Sequence, residues 1–327
     1  MQLQYVLTLL WIIFAQNVFS RPTISKVAPE NIEFFGRVTS YQKPVKVPDP
    51  ISMYQQFAGL AQQSNCFKTK INATIGDAQL LFSWGDDDKN QRMQIFRSKS
   101  LGIVTSWSGM NVTSLTSLLS AADLFLVDVD RKYFPRVKKG SKLYDGFQNA
   151  FKRAAPVLVK KIQYFQELYD EDRVSLTGLS FGAALADIAL PYVKENLKRG
   201  HIHRVVVFGH PRIGNQEWAD SLDTYAEGKF FYVVNGNDIV PHLPPREFGY
   251  QQPSGQIWIN PSNSSNWKLY PGQENVHGAN SIFGFSIKDH TGVYFRTEIG
   301  SFWGHCPATI GQDLSLIHIS EPTRPER

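Results

Sequence analysis

The apolar positions follow two regimes along the chain. Between residues 79 and 107 they gather in three short runs, 79–84, 92–96 and 102–107, separated by polar turns at 85–91 and 97–100. Runs of that length, bounded by turn-forming residues, predict strands in an antiparallel meander. From Asp145 onward the period lengthens. Residues 147–169 place their apolar side chains as one face of a long helix does. A strand at 173–177, ending at Gly178, comes next, then a helix at 181–197, a strand at 204–208, a helix at 216–225 and a strand at 229–234. Such alternation predicts a mostly parallel sheet with covering helices, an α/β fold. No Pro/Gly/Ser-rich linker interrupts it, so residues 21–313 are expected to form a single domain.

Composition narrows the classes. With 327 residues, 42% hydrophobic and 19% charged, the chain has enough apolar material for a large core, which excludes a disordered or fibrous protein. Its +5 formal charge comes from 34 Lys and Arg against 29 Asp and Glu, scattered rather than blocked, so nucleic acid is not an expected partner. Two cysteines and eight histidines exclude a disulfide-dense scaffold and a Cys-rich zinc site.

The two ends stand apart. Residues 5–15 form an apolar block too short for a membrane span, which needs roughly 18 or more residues, and Val18-Phe19-Ser20 leads into polar sequence. Residues 1–20 therefore read as a secretory signal, with no stable membrane span and an extracellular location. Residues 314–327 read as the in-frame translation of a sequencing adapter, a non-native tail. A secreted chain with two cysteines is expected to join them, and a Cys66–Cys306 disulfide would close a long loop, worth about 5 kcal/mol in the chain-entropy treatment. Of three glycosylation sequons, Asn72 and Asn263 are the candidates; Asn111 is expected to stay unmodified.

Between the strand ending near Thr177 and the helix beginning near Phe181 lies Gly178-Leu179-Ser180-Phe181-Gly182, a G-x-S-x-G at a strand-to-helix turn. Glycines on either side of such a turn remove the Cβ atoms that would clash in it, so Ser180 is the candidate nucleophile. A serine needs a base, and the base an orienting carboxylate, in the chain order Ser, Asp or Glu, His. Asp187, Asp220 and Asp223 fall on predicted helices, whereas Asp238 follows the end of the strand at 229–234, where such folds place their sites. His242 lies too close to Asp238 in sequence to face it, and His305 adjoins Cys306. His290 and His277 remain, and the turn Asp289-His290-Thr291-Gly292 before strand-like Val293-Tyr294-Phe295 favours His290.

Three segments, 175–186, Phe208-Gly209-His210-Pro211-Arg212-Ile213-Gly214-Asn215 and 237–250, together with Asp145-Gly146-Phe147 and His290 with Tyr294-Phe295, resemble the secreted fungal class 3 lipases over about residues 50–307. The resemblance implies an α/β-hydrolase fold with a short helical lid. It maps Ser180, Asp238 and His290 onto the family's triad, and Cys66 and Cys306 onto its terminus-clasping disulfide. It also puts the oxyanion hole on the backbone amides of Phe181 and Met110. There the chain departs from its relatives: Trp107-Ser108-Gly109-Met110 replaces the usual Phe-Arg-Gly-Ser/Thr, so no hydroxyl supports the second donor.

Directly afterwards Leu115, Leu118, Leu119 and Ala122 repeat at helical spacing against Ser and Thr on the other faces, the pattern of an amphipathic lid. The expected activity is hydrolysis of carboxylic esters, with triacylglycerol at a lipid-water interface as substrate and neither metal nor organic cofactor. Two alternatives accompany it: an aromatic esterase of the feruloyl type, and a catalytically weak lipid-binding homologue suggested by Met110. Oligomeric state is left open.

Overall fold

In the computed structural model the described residues are 31–34 (backbone only), 37–66, 70–111, 114–115, 124–282, 285–300 and 306–311. The expected secretory signal, most of the expected lid and the C-terminal tail lie outside them.

The meander is β4 (Ala78–Trp84), β5 (Met93–Ser98) and β6 (Gly102–Trp107), all antiparallel neighbours. Four further strands continue the sheet in parallel from β6: β9 (Arg173–Leu179), β10 (His201–Phe208), β11 (Phe230–Asn235) and β12 (Gln256–Ile259). Short antiparallel edges, β3 (Thr74–Ile75) and β13 (Trp267–Tyr270), complete nine strands in the order β13-β12-β11-β10-β9-β6-β5-β4-β3. Among the described residues, three two-stranded ribbons stand outside it: β1 (Asn31–Phe34) with β2 (Arg37–Ser40), β7 (Leu126–Asp128) with β8 (Lys142–Tyr144), and β14 (Gly292–Tyr294) with β15 (Thr297–Ile299).

Val205–Phe208 of β10 and Phe230–Val234 of β11 read as unbroken apolar runs because both faces are covered. Successive side chains still point to opposite sides. In β11, Phe231 and Val233 join the core beneath α1 (Ile51–Ser64), while Phe230, Tyr232 and Val234 join the core on the other face. That second core is roofed by α2 (Asp145–Tyr169) and α3 (Phe181–Asn196), with α4 (Gln216–Ala226) beside α3. Along α2, Phe147, Phe151, Ala155, Leu158, Ile162 and Phe165 form the buried stripe, the helical spacing that marked this segment in the sequence.

Element boundaries moved at two places for visible reasons. β9 continues two residues past Thr177, because Gly178 pairs with Trp107 and Val207, and Leu179 with Phe208. β10 starts at His201, three residues earlier than its apolar run, and a register shift between Ile202 and Arg204 breaks the regular alternation there. The Cys66–Cys306 disulfide is formed across a sequence separation of 240. Asn72 and Asn263 are both exposed.

Candidate active site

Ser180 sits between β9 and α3 with φ 62° and ψ −122°, a conformation rarely adopted by a residue bearing a Cβ. The two glycines around it are sterically required. A Cβ on Gly178 would meet the Gly182 carbonyl oxygen at 2.4 Å, and one on Gly182 the Trp107 carbonyl oxygen at 2.3 Å. This lets β9, α3 and the end of β6 close on one another and forces the serine out of regular structure. The Ser180 amide is tied to the Phe208 carbonyl oxygen at 2.9 Å. Phe181 is the first residue of α3, so its N–H has no carbonyl one turn earlier within the helix to receive it.

Asp238 and His290 come from separate turns beyond the sheet. Asp238 follows β11, its amide bonded to the Asn235 carbonyl oxygen at 3.1 Å, and its Oδ1 accepts the Val240 amide at 2.9 Å. His290 ends a single 3-10 turn before β14. Its Nδ1 lies 3.0 Å from Asp238 Oδ1 and 2.9 Å from Oδ2, with both side chains buried. Nδ1–H therefore donates to the carboxylate, which leaves Nε2 as the basic nitrogen.

The imidazole packs against Gly209, the residue after Phe208. A Cβ there would fall 2.5 Å from His290 Cε1. The ring is thus one residue removed from the carbonyl that anchors Ser180. Among the described residues, Ser180 Oγ and His290 Nε2 are both enclosed and neither has a hydrogen-bond partner. Below the ring, the Tyr294 hydroxyl donates to the His290 carbonyl oxygen at 3.0 Å. Burial, with the nearby Asp238 and Asp289 charges, pushes the Tyr294 phenol well up, so it stays a neutral donor.

A cavity of about 140 Å³ opens beside the imidazole, lined by Asn65, Met110, Asn111, Leu179, His290, Thr291 and Gly300. Met110 thus reaches the same space as His290. Gly109 packs onto the elbow, since a Cβ there would lie 3.3 Å from Ser180 Cβ. Within the expected lid only Leu115 is described, and it is buried in the helix-side core.

Other candidates fall elsewhere. His277 is exposed. His242 is half-buried with its ring 4.8 Å from Phe285 and its Nε2 enclosed. Burial, helped by the Arg212 charge, pushes the His242 imidazole down to about 3. Asp187 sits on α3, as expected, but is fully buried beside His210 at 3.1 Å and accepts the Trp218 indole N–H. Desolvation raises its carboxyl.

Sequence reasoning missed a polar framework behind the Asp238 turn. Buried Arg212 pairs with Glu274 through two contacts of 2.6 and 2.9 Å and donates to the His242 and Pro244 carbonyl oxygens. Burial alone would raise the Glu274 carboxyl, but the Arg212 guanidinium outweighs it and holds the group at about 2.

A serine at a strand-to-helix elbow and an imidazole oriented by a carboxylate are the elements of a serine ester hydrolase. The family model for the class 3 lipases matches residues 104–248. The secreted mono- and diacylglycerol lipase LIP2 of Malassezia restricta is 70% identical over 309 residues, covering 94% of this chain and 98% of the relative. LIP1 of Malassezia globosa, also named a secreted mono- and diacylglycerol lipase, is 37% identical over 291 residues, 88% and 95% of the two chains. The chain belongs to the class 3 lipases and is a secreted serine ester hydrolase. A lipase from Rhizopus microsporus var. chinensis shares the α/β-hydrolase fold with a TM-score of 0.69 at 24% identity, covering 86% of this chain and 100% of that one. These relatives do not favour the aromatic esterase alternative.

Proposed function

We propose that Ser180, Asp238 and His290 are the catalytic triad of a lipase acting on acylglycerols at a lipid-water interface, with the Phe181 and Met110 amides as the oxyanion hole. The observation that carries this reading is the His290 imidazole held by both oxygens of Asp238, next to the Gly209 that follows the Phe208 carbonyl anchoring Ser180 at its elbow. His290 Nε2 takes the Ser180 proton as Oγ attacks the ester carbonyl. Negative charge then collects on the former carbonyl oxygen, where the two amides receive it. Imidazolium returns its proton to the departing glyceride hydroxyl. Water, deprotonated by the same nitrogen, releases the fatty acid from the acyl-enzyme.

Two features support an interface as the place of action. Ser180 is wholly enclosed, so an ester reaches it only once part of its surroundings gives way. Phe285 and Ile287, in the segment leading to His290, are exposed apolar side chains suited to a lipid surface. Among acylglycerols, mono- and diacylglycerols are proposed as preferred over triacylglycerols. The relative at 70% identity is named for partial glycerides. Titration of acid released from monoolein, diolein and triolein emulsions tests this. The expected result is a rate jump above the solubility limit, the highest rates on the partial glycerides, and no activity in Ser180→Ala; activity in that variant overturns the triad.

A further inference from the structure

Loss of the hydroxyl at Met110 raises the question of what fixes the second oxyanion donor. The donor N–H belongs to the Gly109–Met110 peptide, and in a trans peptide the carbonyl and N–H point to opposite edges of one plane. Whatever holds the Gly109 carbonyl therefore aims the Met110 N–H. Gln91 Nε2 donates to the Gly109 carbonyl oxygen at 2.7 Å and to the Ser108 carbonyl oxygen at 2.7 Å, gripping two successive peptides. From the other side, Asn65 Oδ1 accepts the Gly109 amide at 2.8 Å, while its Nδ2 donates to the Ala61 carbonyl oxygen at 2.8 Å. The second bond settles which way the Asn65 amide faces. Asn65 is buried and lines the cavity with Met110 and His290.

The clamp has its own supports. Ser108 Oγ donates to Asp87 Oδ1 at 2.8 Å, Asp87 pairs with Arg92, and Arg92 donates to the carbonyl oxygen of Cys66, the residue after Asn65. Both sides of the loop thereby return to the end of α1, where the Cys66–Cys306 disulfide is fastened.

Resting on the proposed oxyanion hole, we infer that Gln91, which holds the Gly109–Met110 peptide, and Asn65, which holds the Ser108–Gly109 peptide before it, are positioning residues that fix the Met110 N–H toward the developing oxyanion, replacing the absent hydroxyl. A donor on the Gly109 carbonyl also polarises that peptide and strengthens its N–H. Neither side chain needs to touch substrate for this.

The test is hydrolysis of p-nitrophenyl butyrate by Gln91→Leu, with turnover counted per active site titrated by a phosphonate. A fall in kcat of about 10- to 100-fold, below the roughly 10²–10³ for outright loss of a donor, with KM within about threefold, is expected. Affinity for a trifluoromethyl ketone that forms the tetrahedral adduct should fall by the same factor as kcat/KM. A purely structural residue would lower the titrated fraction and leave turnover per site intact, and that result overturns the inference. Should Gln91→Leu fail to accumulate, Asn65→Leu is measured in its place: a loss of at least about tenfold in turnover per titrated site supports the clamp, and wild-type turnover per titrated site overturns it. Ser180→Ala serves as the separate control, because its retained activity would defeat the triad itself whatever the clamp variants do.

Discussion

Asp289 Oδ2 accepts the Asn237 amide at 2.8 Å, so the residue before His290 grips the residue before Asp238. The Ser286 amide strengthens the join by donating to the Asn237 carbonyl oxygen at 2.7 Å, and Asn235 Nδ2 donates to the Asp289 carbonyl oxygen at 3.1 Å. The His290–Asp238 contact thus rests on a second, parallel set of bonds between the same two turns.

Removing that grip in Asp289→Ala should lower kcat about tenfold and stability by about 1–3 kcal/mol, the usual effect of stranding a partly buried donor. Asp289→Asn, which keeps one acceptor oxygen, should lose less. Ester hydrolysis per titrated site and urea denaturation check both, and an unaltered Asp289→Ala would show the clasp to be idle.

Gly209 offers a steric probe of the imidazole. Its φ is +54°, and an added Cβ would lie 2.5 Å from His290 Cε1, 2.7 Å from Nδ1 and 3.2 Å from Asp238 Oδ2. Gly209→Ala should therefore displace the ring and cost about 10²-fold in kcat, the scale of an ångström-sized misplacement. Circular dichroism should remain native. Turnover at the wild-type level would mean that the ring does not work from this position.

Much of this architecture was legible because the meander and the helix-strand alternation write their periods plainly. β6 ends where its apolar run ends, and α2 begins two residues before its predicted start. The elbow was readable too, since only glycine fits at 178 and 182. What escaped were features made by polar side chains meeting across the fold. Asn65, Gln91 and Asp289 act through contacts with residues 44, 18 and 52 positions away, and nothing in their local spacing signals them. Asp187 was legible as a helix residue, but its burial in the core facing His210 was not.

Acid sensitivity follows from two groups with the same sign. The Glu274 carboxyl is held at about 2 against an ordinary 4.5, so its contribution is complete above the ordinary value and disappears as pH falls through about 2. His242 is held at about 3 against 6.5; the unfolded chain binds its proton first, so stability declines as pH drops from 6.5 toward 3. His242→Gln should flatten urea-derived stability over that window by up to about 1.4 kcal/mol per pH unit. An unchanged slope would remove His242 from the account.

The Cys66–Cys306 bond joins residues 240 positions apart. Reduction, or the double substitution to Ser, should lower stability by about 2–5 kcal/mol, read as a fall in Tm in a thermal melt. An unshifted Tm would show that hydrogen bonds alone secure this end of the fold, such as the Ala308 amide to Gln63 Oε1 at 2.8 Å.

The most direct test of the chemistry is inactivation by an active-serine phosphonate, followed by intact mass and peptide mapping. One adduct per chain is expected, on Ser180, appearing in step with the loss of ester hydrolysis, absent in Ser180→Ala and formed at least about 10³-fold more slowly in His290→Ala. An adduct on another residue, or labelling that proceeds at full speed without the imidazole, would contradict it.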